Sequence, residues 1–195
     1  MVAVARTAAE RGREVRQQLV GAARELIAER GWSAVSTRML AERAGVAPGL
    51  VHYHFASLPA LLTEAAIGAM RSAVEEIGQL LDQAGTPAQM LDRMLTALEV
   101  HTGRDPLSLL FTETYLAATR DDDLRAAVSG IVVDLRDRLA RWLGGHGISE
   151  PERTAAVLAA AIDGVVLHRA LQPDLTARTV APILRGILRT EGERG

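Results

Sequence analysis

Between Ser36 and Phe55 the sequence predicts two short helices joined by a tight turn. Ser36 or Thr37 offers a hydroxyl that can cap the first helix, because an N-cap oxygen accepts hydrogen bonds from amides that the first turn leaves unpaired. Gly45 follows the last helical turn, where a positive φ is often required and glycine adopts it freely. Pro48 suits the first turn of the second helix, since its φ is fixed and it has no amide proton. This pattern is typical of a helix-turn-helix.

The second helix of this hairpin has an inward and an outward side. Val51 and Phe55 are four residues apart, so they face one side and can anchor the helix to its own domain. We expect base-edge contacts from Arg38, Pro48, Gly49, Leu50 and Tyr53, and phosphate contacts from Thr37, His52 and His54. A surface hairpin that serves only for packing is the alternative. Outward aromatic side chains and the shortness of the second helix favour DNA binding.

A longer pattern runs through the hairpin: Thr37-Arg38-x-Leu40-Ala41-x-x-Ala44-Gly45-Val46-x-x-Gly49-x-Val51-x-Tyr53-His54-Phe55, followed by Ser57-x-x-x-Leu61-Leu62. With the helix before it, this stretch of residues 13–62 resembles the DNA-binding domain of TetR-type (TetR/AcrR-like) transcriptional regulators. The chain departs from that family at Leu58, where a lysine that contacts phosphate is usual, and at Ala47, where a serine or threonine cap is usual. The resemblance implies a sequence-specific regulator that dimerises through its last two long helices.

Charge is distributed unevenly along the chain. The whole sequence carries a net charge of −2, with arginine as its sole basic residue apart from histidine. Residues 1–56 contain eight arginines and five glutamates, whereas the remainder contains fourteen arginines and nineteen acidic residues. A modest positive charge near the hairpin favours attraction to phosphates. Because the excess is small, we expect binding to depend on geometry and dimerisation as well.

The composition predicts an all-α protein, since aromatic residues are few and no long alternating run of β-branched residues occurs. We expect a flexible N-terminal arm over residues 1–12 and a three-helix domain with the helix-turn-helix over residues 13–56. A C-terminal helical bundle for ligand binding and dimerisation follows over residues 57–195. Its first helix, capped by Ser57, continues to Asp82 and would link the two domains as a lever. Further helices are predicted over 88–101, 107–120, 121–143, 151–171 and 176–189.

The predicted helix over 151–171 is apolar on nearly every side. A helix of this kind must be buried all round, either in a large core or against a second subunit. We expect this helix and the last one to form a four-helix homodimer interface, and the resemblance implies the same. The predicted interface residues are Ala159, Ile162, Val166, Ile183, Leu184 and Ile187. Asp163 is a carboxylate inside this apolar run, so we expect a hydrogen-bonded structural aspartate, with a hydrogen bond across the dimer or a contact to a ligand as the alternatives.

A ligand pocket is a further expectation for the C-terminal bundle. Methionine side chains are flexible and suit a pocket that adapts to its ligand. The predicted lining residues are Met70, Val74, Met94, Leu98, His101, Leu110, Phe111, Thr114 and Tyr115. Ordinary core packing is the alternative for each of them.

Several classes of site are not expected. The chain has no cysteine, which excludes disulfides, thiolate metal sites and cysteine nucleophiles. His52 and His54 diverge on a helix, so they form a poor metal pair. We expect no catalytic residues, no metal and no cofactor, because the motifs of those sites do not occur. No apolar run is long enough to cross a membrane, so no membrane partner is expected.

These features together predict a cytoplasmic, homodimeric regulator that binds double-stranded DNA at a palindromic operator. A small-molecule effector would release a repressor of this kind by moving the long fourth helix. The rival hypothesis is a helical ligand-binding or enzymatic protein whose hairpin is only structural.

Overall fold

Nine α-helices follow one another in residues 7–188, the part of the chain that the computed structural model describes. They are α1 Ala8–Arg30, α2 Thr37–Ala44, α3 Pro48–His54, α4 Leu58–Asp82, α5 Pro87–Ala97, α6 Pro106–Ala118, α7 Asp122–Gly145, α8 Pro151–Arg169 and α9 Ala177–Arg185. Short 3-10 helices cover Trp32–Ala34 and Leu98–Val100. The described residues contain no strand, and the prediction of an all-α protein is confirmed.

Most helix starts coincide with the capping residues and prolines of the sequence. Ser57 Oγ accepts a hydrogen bond from the backbone N–H of Ala60 at the start of α4. Asp121 caps α7 in the same way, through a bond from the N–H of Leu124 to its Oδ1. Such caps satisfy amides that have no partner inside the helix. α3, α4, α5, α6 and α8 each have a proline in their first turn.

The N-terminal arm is a correction to the prediction. Residues 8–12 are helical, because α1 begins at Ala8. Thr7 Oγ1 accepts a hydrogen bond from the N–H of Glu10, and Glu10 Oε2 accepts one from the N–H of Thr7. This reciprocal capping box starts the helix five residues before the predicted position. Residues 1–6, the rest of the predicted arm, lie outside the described residues.

Several predicted helix boundaries in the C-terminal domain also shift. α5 ends at Ala97 and continues as a 3-10 turn, α6 ends at Ala118, α8 ends at Arg169 and α9 ends at Arg185. The predicted end of the last helix at Arg189 lies outside the described residues. Ser149 does not cap α8: its buried Oγ has no hydrogen-bond partner among residues 7–188. Glu150 leads into α8 instead, with a φ of 50°.

Three groups of buried residues form the interior. The hairpin core joins α1, α2 and α3 to the first half of α4. The middle core lies between the centre of α4, the end of α6 and the first half of α7. The distal core joins the end of α4 to α5, the second half of α7, α8 and α9. Trp32 packs against both the hairpin core and the middle core, so it bridges the two domains.

Two of the predicted dimer-interface residues belong to the distal core. Ile162 is 8% exposed and Leu184 is 5% exposed, so both side chains pack inside their own subunit. The prediction for these two is corrected, because a helix that is apolar all round does not reveal which side faces its own chain. α8 is not buried all round, since Leu167 is 52% exposed.

The predicted pocket residues do not form one group. Met70 lies in the middle core, Met94 in the distal core and Leu110 in the hairpin core. Thr114 is fully buried, and its hydroxyl donates to the carbonyl oxygen of Leu110 at 2.6 Å. Thr114 is therefore a packing residue of α6, and its assignment to a pocket is corrected.

Candidate nucleic-acid interface

α2 is held by its cap, its inner face and the turn that follows. The N–H of Met39 donates to Ser36 Oγ at 3.3 Å, which identifies Ser36 as the cap. Leu40 and Ala41 are buried in the hairpin core. Gly45 has a φ of 68°, a left-handed conformation that costs other residues free energy. The prediction of a helix that ends at a glycine turn is confirmed.

α3 is anchored by two apolar side chains. Val51 is 1% exposed and Phe55, which directly follows the helix, is 6% exposed. The guanidinium of Arg16 on α1 lies 4.7 Å from the centre of the Phe55 ring, a cation–π contact. Ala47 precedes Pro48 in an extended conformation without a side-chain cap, as its residue type implies. The short helix is thus fixed through its inner face and its C-terminal end.

None of the eight predicted DNA-contacting residues is buried. Arg38, Pro48, Gly49, His52 and Tyr53 are exposed, and Thr37, Leu50 and His54 are half-buried. Tyr53 is 80% exposed and meets the His54 ring edge-on, with 5.0 Å between ring centres. Exposing an aromatic ring to water in this position costs free energy unless a partner covers it. The outward side of α3 is therefore available for a partner, as the sequence predicts.

Ion pairs distinguish the arginines near the hairpin. Arg43 donates to Glu29 and Glu25 on α1, and these hydrogen bonds raise the pKa of Arg43. Arg16 pairs with Glu64 on α4. Within residues 7–188, by contrast, the structure shows no ion pair of Arg38. Arg38 can therefore bind a base edge or a phosphate without first giving up a carboxylate partner.

The first turns of α1 lie beside the end of α3, an arrangement that was not predicted from the sequence. A Cβ built on Gly12 would lie 3.9 Å from Cε1 of His54. The neighbouring Arg13 is exposed on α1. The pattern Thr7-x-x-Glu10 in the sequence is typical of a capping box and indicates that α1 starts here.

Two open grooves flank α4. The larger one, of about 610 Å³, lies between the first half of α4 and the start of α7, and Thr63, Arg71 and Asp123 are among its lining residues. The smaller one, of about 280 Å³, lies between α1, α4 and α6 and includes Arg24 and Leu110. Apart from Leu110, the predicted pocket residues line neither groove.

Asp163 of α8 lies close enough to Tyr115 of α6 for its negative charge to affect the ionisation of the phenol. Asp163 is an exposed residue by its accessible surface, yet the apolar atoms around its carboxyl group desolvate the charge, and this desolvation raises its pKa to about 6. Burial and the negative charge of Asp163 raise the pKa of Tyr115 to about 12. Tyr115 of α6 and Asp163 of α8 thus form a titratable pair between these two helices.

Other kinds of site are not found in the described part of the chain. No group of three or more histidine, aspartate or glutamate side chains is arranged there to hold a metal ion. No helix within residues 7–188 is both long and apolar enough to cross a bilayer.

Comparison with known proteins identifies the two domains. Residues 19–65 match the bacterial regulatory proteins of the tetR family, and residues 85–190 match the tetracyclin repressor-like C-terminal domain. A transcriptional regulator of the HTH type from Mycobacterium tuberculosis is 26% identical over 194 residues, covering 95% of this chain and 98% of its own.

Solved structures have the same fold. A transcriptional regulator from Streptomyces coelicolor A3(2) superimposes with a TM-score of 0.73 and 28% identity, over 91% of this chain and 99% of its own. A regulator from Saccharomonospora viridis, solved in complex with choline, gives a TM-score of 0.74 with 21% identity, over 89% of this chain and 95% of its own. The chain therefore belongs to the TetR family of DNA-binding transcriptional regulators and is a transcription factor, not an enzyme.

Proposed function

We propose that this regulator is a homodimeric repressor that binds a palindromic operator in the cytoplasm and is released by a small molecule. The observation that carries the proposal is the uncovered outward side of α3, where Tyr53 is 80% exposed. Val51 and Phe55 hold the inner side of α3 against its own domain, so the outward side of this short helix is free to enter the major groove of DNA.

Specific contacts to DNA are proposed for both ends of the hairpin. Arg38 can donate two hydrogen bonds to a guanine edge. Leu50 can meet a thymine methyl, and Gly49 lets the backbone approach the bases. Thr37, His52 and His54, with Pro48 and Tyr53 beside them, would complete the contact surface with phosphates and bases.

A second copy of the chain is the proposed cover for an exposed apolar surface on α8 and α9. Val157 and Leu167 of α8 are each 52% exposed, and Ile183 of α9 is 73% exposed. The remaining predicted interface residues, Ala159, Val166 and Ile187, are half-buried in the single chain. A two-fold dimer would place its two α3 helices about 34 Å apart, one turn of DNA, and so would require a palindromic site.

An effector is proposed to act by moving the DNA-binding domains relative to each other. Met70, Val74, Met94, Leu98, His101, Phe111 and Tyr115 remain candidate lining residues for a pocket that adapts to its ligand. The choline complex of the Saccharomonospora viridis regulator illustrates that this fold accommodates a small molecule. Such a ligand shifts the protein between states only if it binds one of them more tightly.

The salt dependence of DNA binding distinguishes this proposal from the alternative in which the hairpin serves only for packing. Fluorescence anisotropy would follow binding to a pool of random-sequence duplexes. We expect log K to fall linearly with log salt concentration, by about 0.9 for each phosphate contacted. Selection from the pool should then enrich an inverted repeat, and light scattering should give twice the mass of the chain. Absence of any salt-dependent association would contradict the proposal.

A further inference from the structure

α6 belongs to the C-terminal domain in sequence but packs into the core of the DNA-binding domain. Leu110, near its middle, is 2% exposed and lies within the hairpin core. Leu107 and Phe111 are half-buried against the same core. Protein interiors are close-packed, so α6 cannot shift without moving or loosening α1.

A carboxylate of α6 also holds the connection from α1 to α2. Glu113 Oε2 accepts a hydrogen bond from the backbone N–H of Trp32, with 2.9 Å between the two atoms. Gly31, the preceding residue, has a φ of 85°, and a Cβ built on it would lie 3.1 Å from the same oxygen. The Glu113 carboxylate thus lies against the backbone of Gly31, which has no side chain, at the point where the chain turns toward the hairpin. Carboxylate oxygens are strong acceptors for amides, so this contact locates the start of the turn.

The loop that leads into α6 is fixed to α8. Arg169 of α8 is buried and donates to the carbonyl oxygens of Leu98 and His101, at 2.6 and 3.1 Å. Gly103 lies so close to α8 that a Cβ built on it would be 2.5 Å from the carbonyl oxygen of Val166. The loop before α6 is therefore bound to α8 by hydrogen bonds and by direct backbone contact.

The same loop is joined to the first turn of α6. Asp105, the cap of α6, accepts hydrogen bonds from the N–H groups of Thr102 and Ser108, at 2.8 and 3.1 Å. Its Oδ1 also lies 3.2 Å from Nδ1 of His101. Polar contacts thus continue from Arg169 through the loop into the first turn of α6. Glu113 lies further along the same helix, where it makes its separate contact with Trp32.

We propose that α6 is a strut that carries the position of α8 to the helix-turn-helix, with Glu113 as the positioning residue at the DNA-binding end. α4 supplies another attachment, since Arg24 Nε of α1 donates to the carbonyl oxygen of Ala65 at 3.0 Å. A domain held at one point can rotate, whereas attachments to both α4 and α6 fix its orientation. The inference rests on the proposed homodimer, in which the two struts set the separation of the two α3 helices.

Spacing preference is the property that tests this role. The duplex that wild-type protein selects from a random pool would be remade with one or two base pairs added or removed between its half-sites. Anisotropy titrations would then compare wild type, E113A and E113Q on the whole series. We expect E113A to lose about tenfold in affinity for the optimal duplex and less for the others, so that its spacing profile flattens. E113Q retains an acceptor oxygen and should keep the wild-type profile.

Two further variants separate positioning from stability. E99A removes an exposed carboxylate from the 3-10 turn before α6 and should leave the profile unchanged. If E113A does not fold, E113L fills the same space without an acceptor and replaces it in the comparison. A sharp wild-type profile with an identical profile for the folded Glu113 variant would overturn this inference alone. A wild-type protein without any spacing preference would overturn the homodimeric operator of the proposed function, and this inference with it.

Discussion

At the scale of single residues, the hairpin separates side chains that hold the domain together from exposed side chains that we propose contact DNA. Arg43 and Arg38 lie five residues apart, yet Arg43 is bound to carboxylates of α1 and Arg38 has no ion pair in the described structure. The sequence shows two arginines and cannot distinguish them, because the partners of Arg43 lie on another helix. Only the packing of α1 against α2 assigns their roles.

The R38A substitution should therefore weaken operator binding, by about 1–3 kcal/mol if Arg38 binds a guanine through two hydrogen bonds. Anisotropy titrations on the selected duplex measure the change. R43A is the matched control, since it removes the same charge from α2 but breaks contacts within the protein. It should lower the melting temperature and leave the preference for the selected duplex intact. Equal losses of that preference in both variants would contradict the assignment of Arg38.

Asp163 makes the stability of the protein depend on pH in an unusual direction. Its pKa is raised from 3.8 to about 6 by burial, so between these values the folded protein holds a proton that the unfolded chain lacks. This group therefore lowers stability as the pH rises from 4 to 6. D163N does not titrate, so its melting temperature should gain on wild type between pH 4 and pH 7. A constant difference across that range would show that Asp163 ionises normally.

At the scale of elements, local signals predicted the starts of helices better than their contacts. Ser36, Ser57 and Asp121 act as caps, and Gly45 ends α2, because each function depends on a few neighbouring atoms. The burial of Leu110 in the hairpin core depends on how α6 meets α1, some ninety residues earlier in the chain. Nothing in the periodicity of α6 indicates which domain its apolar side chains enter.

Two glycines of the hairpin should respond in opposite ways to the same substitution. G45A places a side chain at a φ of 68° and should lower the free energy of unfolding by about 1–2 kcal/mol. G49A lies within α3, where a Cβ would meet no atom within 4 Å, so it should raise stability by about 0.5–1 kcal/mol. G49A should nevertheless weaken binding to the selected duplex, since the new methyl would lie on the exposed side of α3 that we propose faces DNA. Urea unfolding and anisotropy measure the two properties, and unchanged DNA affinity would remove Gly49 from the interface.

At the scale of the whole molecule, the all-α class and the family could be predicted from the sequence, but the face of α8 could not. Ile162 and Leu167 are equally apolar, yet the former is 8% exposed and the latter 52% exposed. Their roles depend on where α7 packs against α8. The prediction that α8 belongs to a dimer interface stays a prediction, now transferred from Ile162 to the exposed Val157 and Leu167.

L167D should convert the proposed dimer to a monomer, because a carboxylate would have to be buried without a partner in the interface. V133D is the matched control, since Val133 is 50% exposed on α7, outside the proposed surface. Light scattering after size-exclusion chromatography measures the mass of each variant. A dimeric L167D protein would show that another surface joins the subunits.

The position of Trp32 gives the protein a built-in optical probe. The chain contains two tryptophans, and the other, Trp142, stacks on His146 with 3.8 Å between ring centres, far along the sequence in α7. The Trp32 indole lies where the two domains meet, and indole emission responds to the polarity of its surroundings. Replacing Trp142 with phenylalanine would leave Trp32 as the single tryptophan. Its emission wavelength would then report any loosening of that junction without an attached dye.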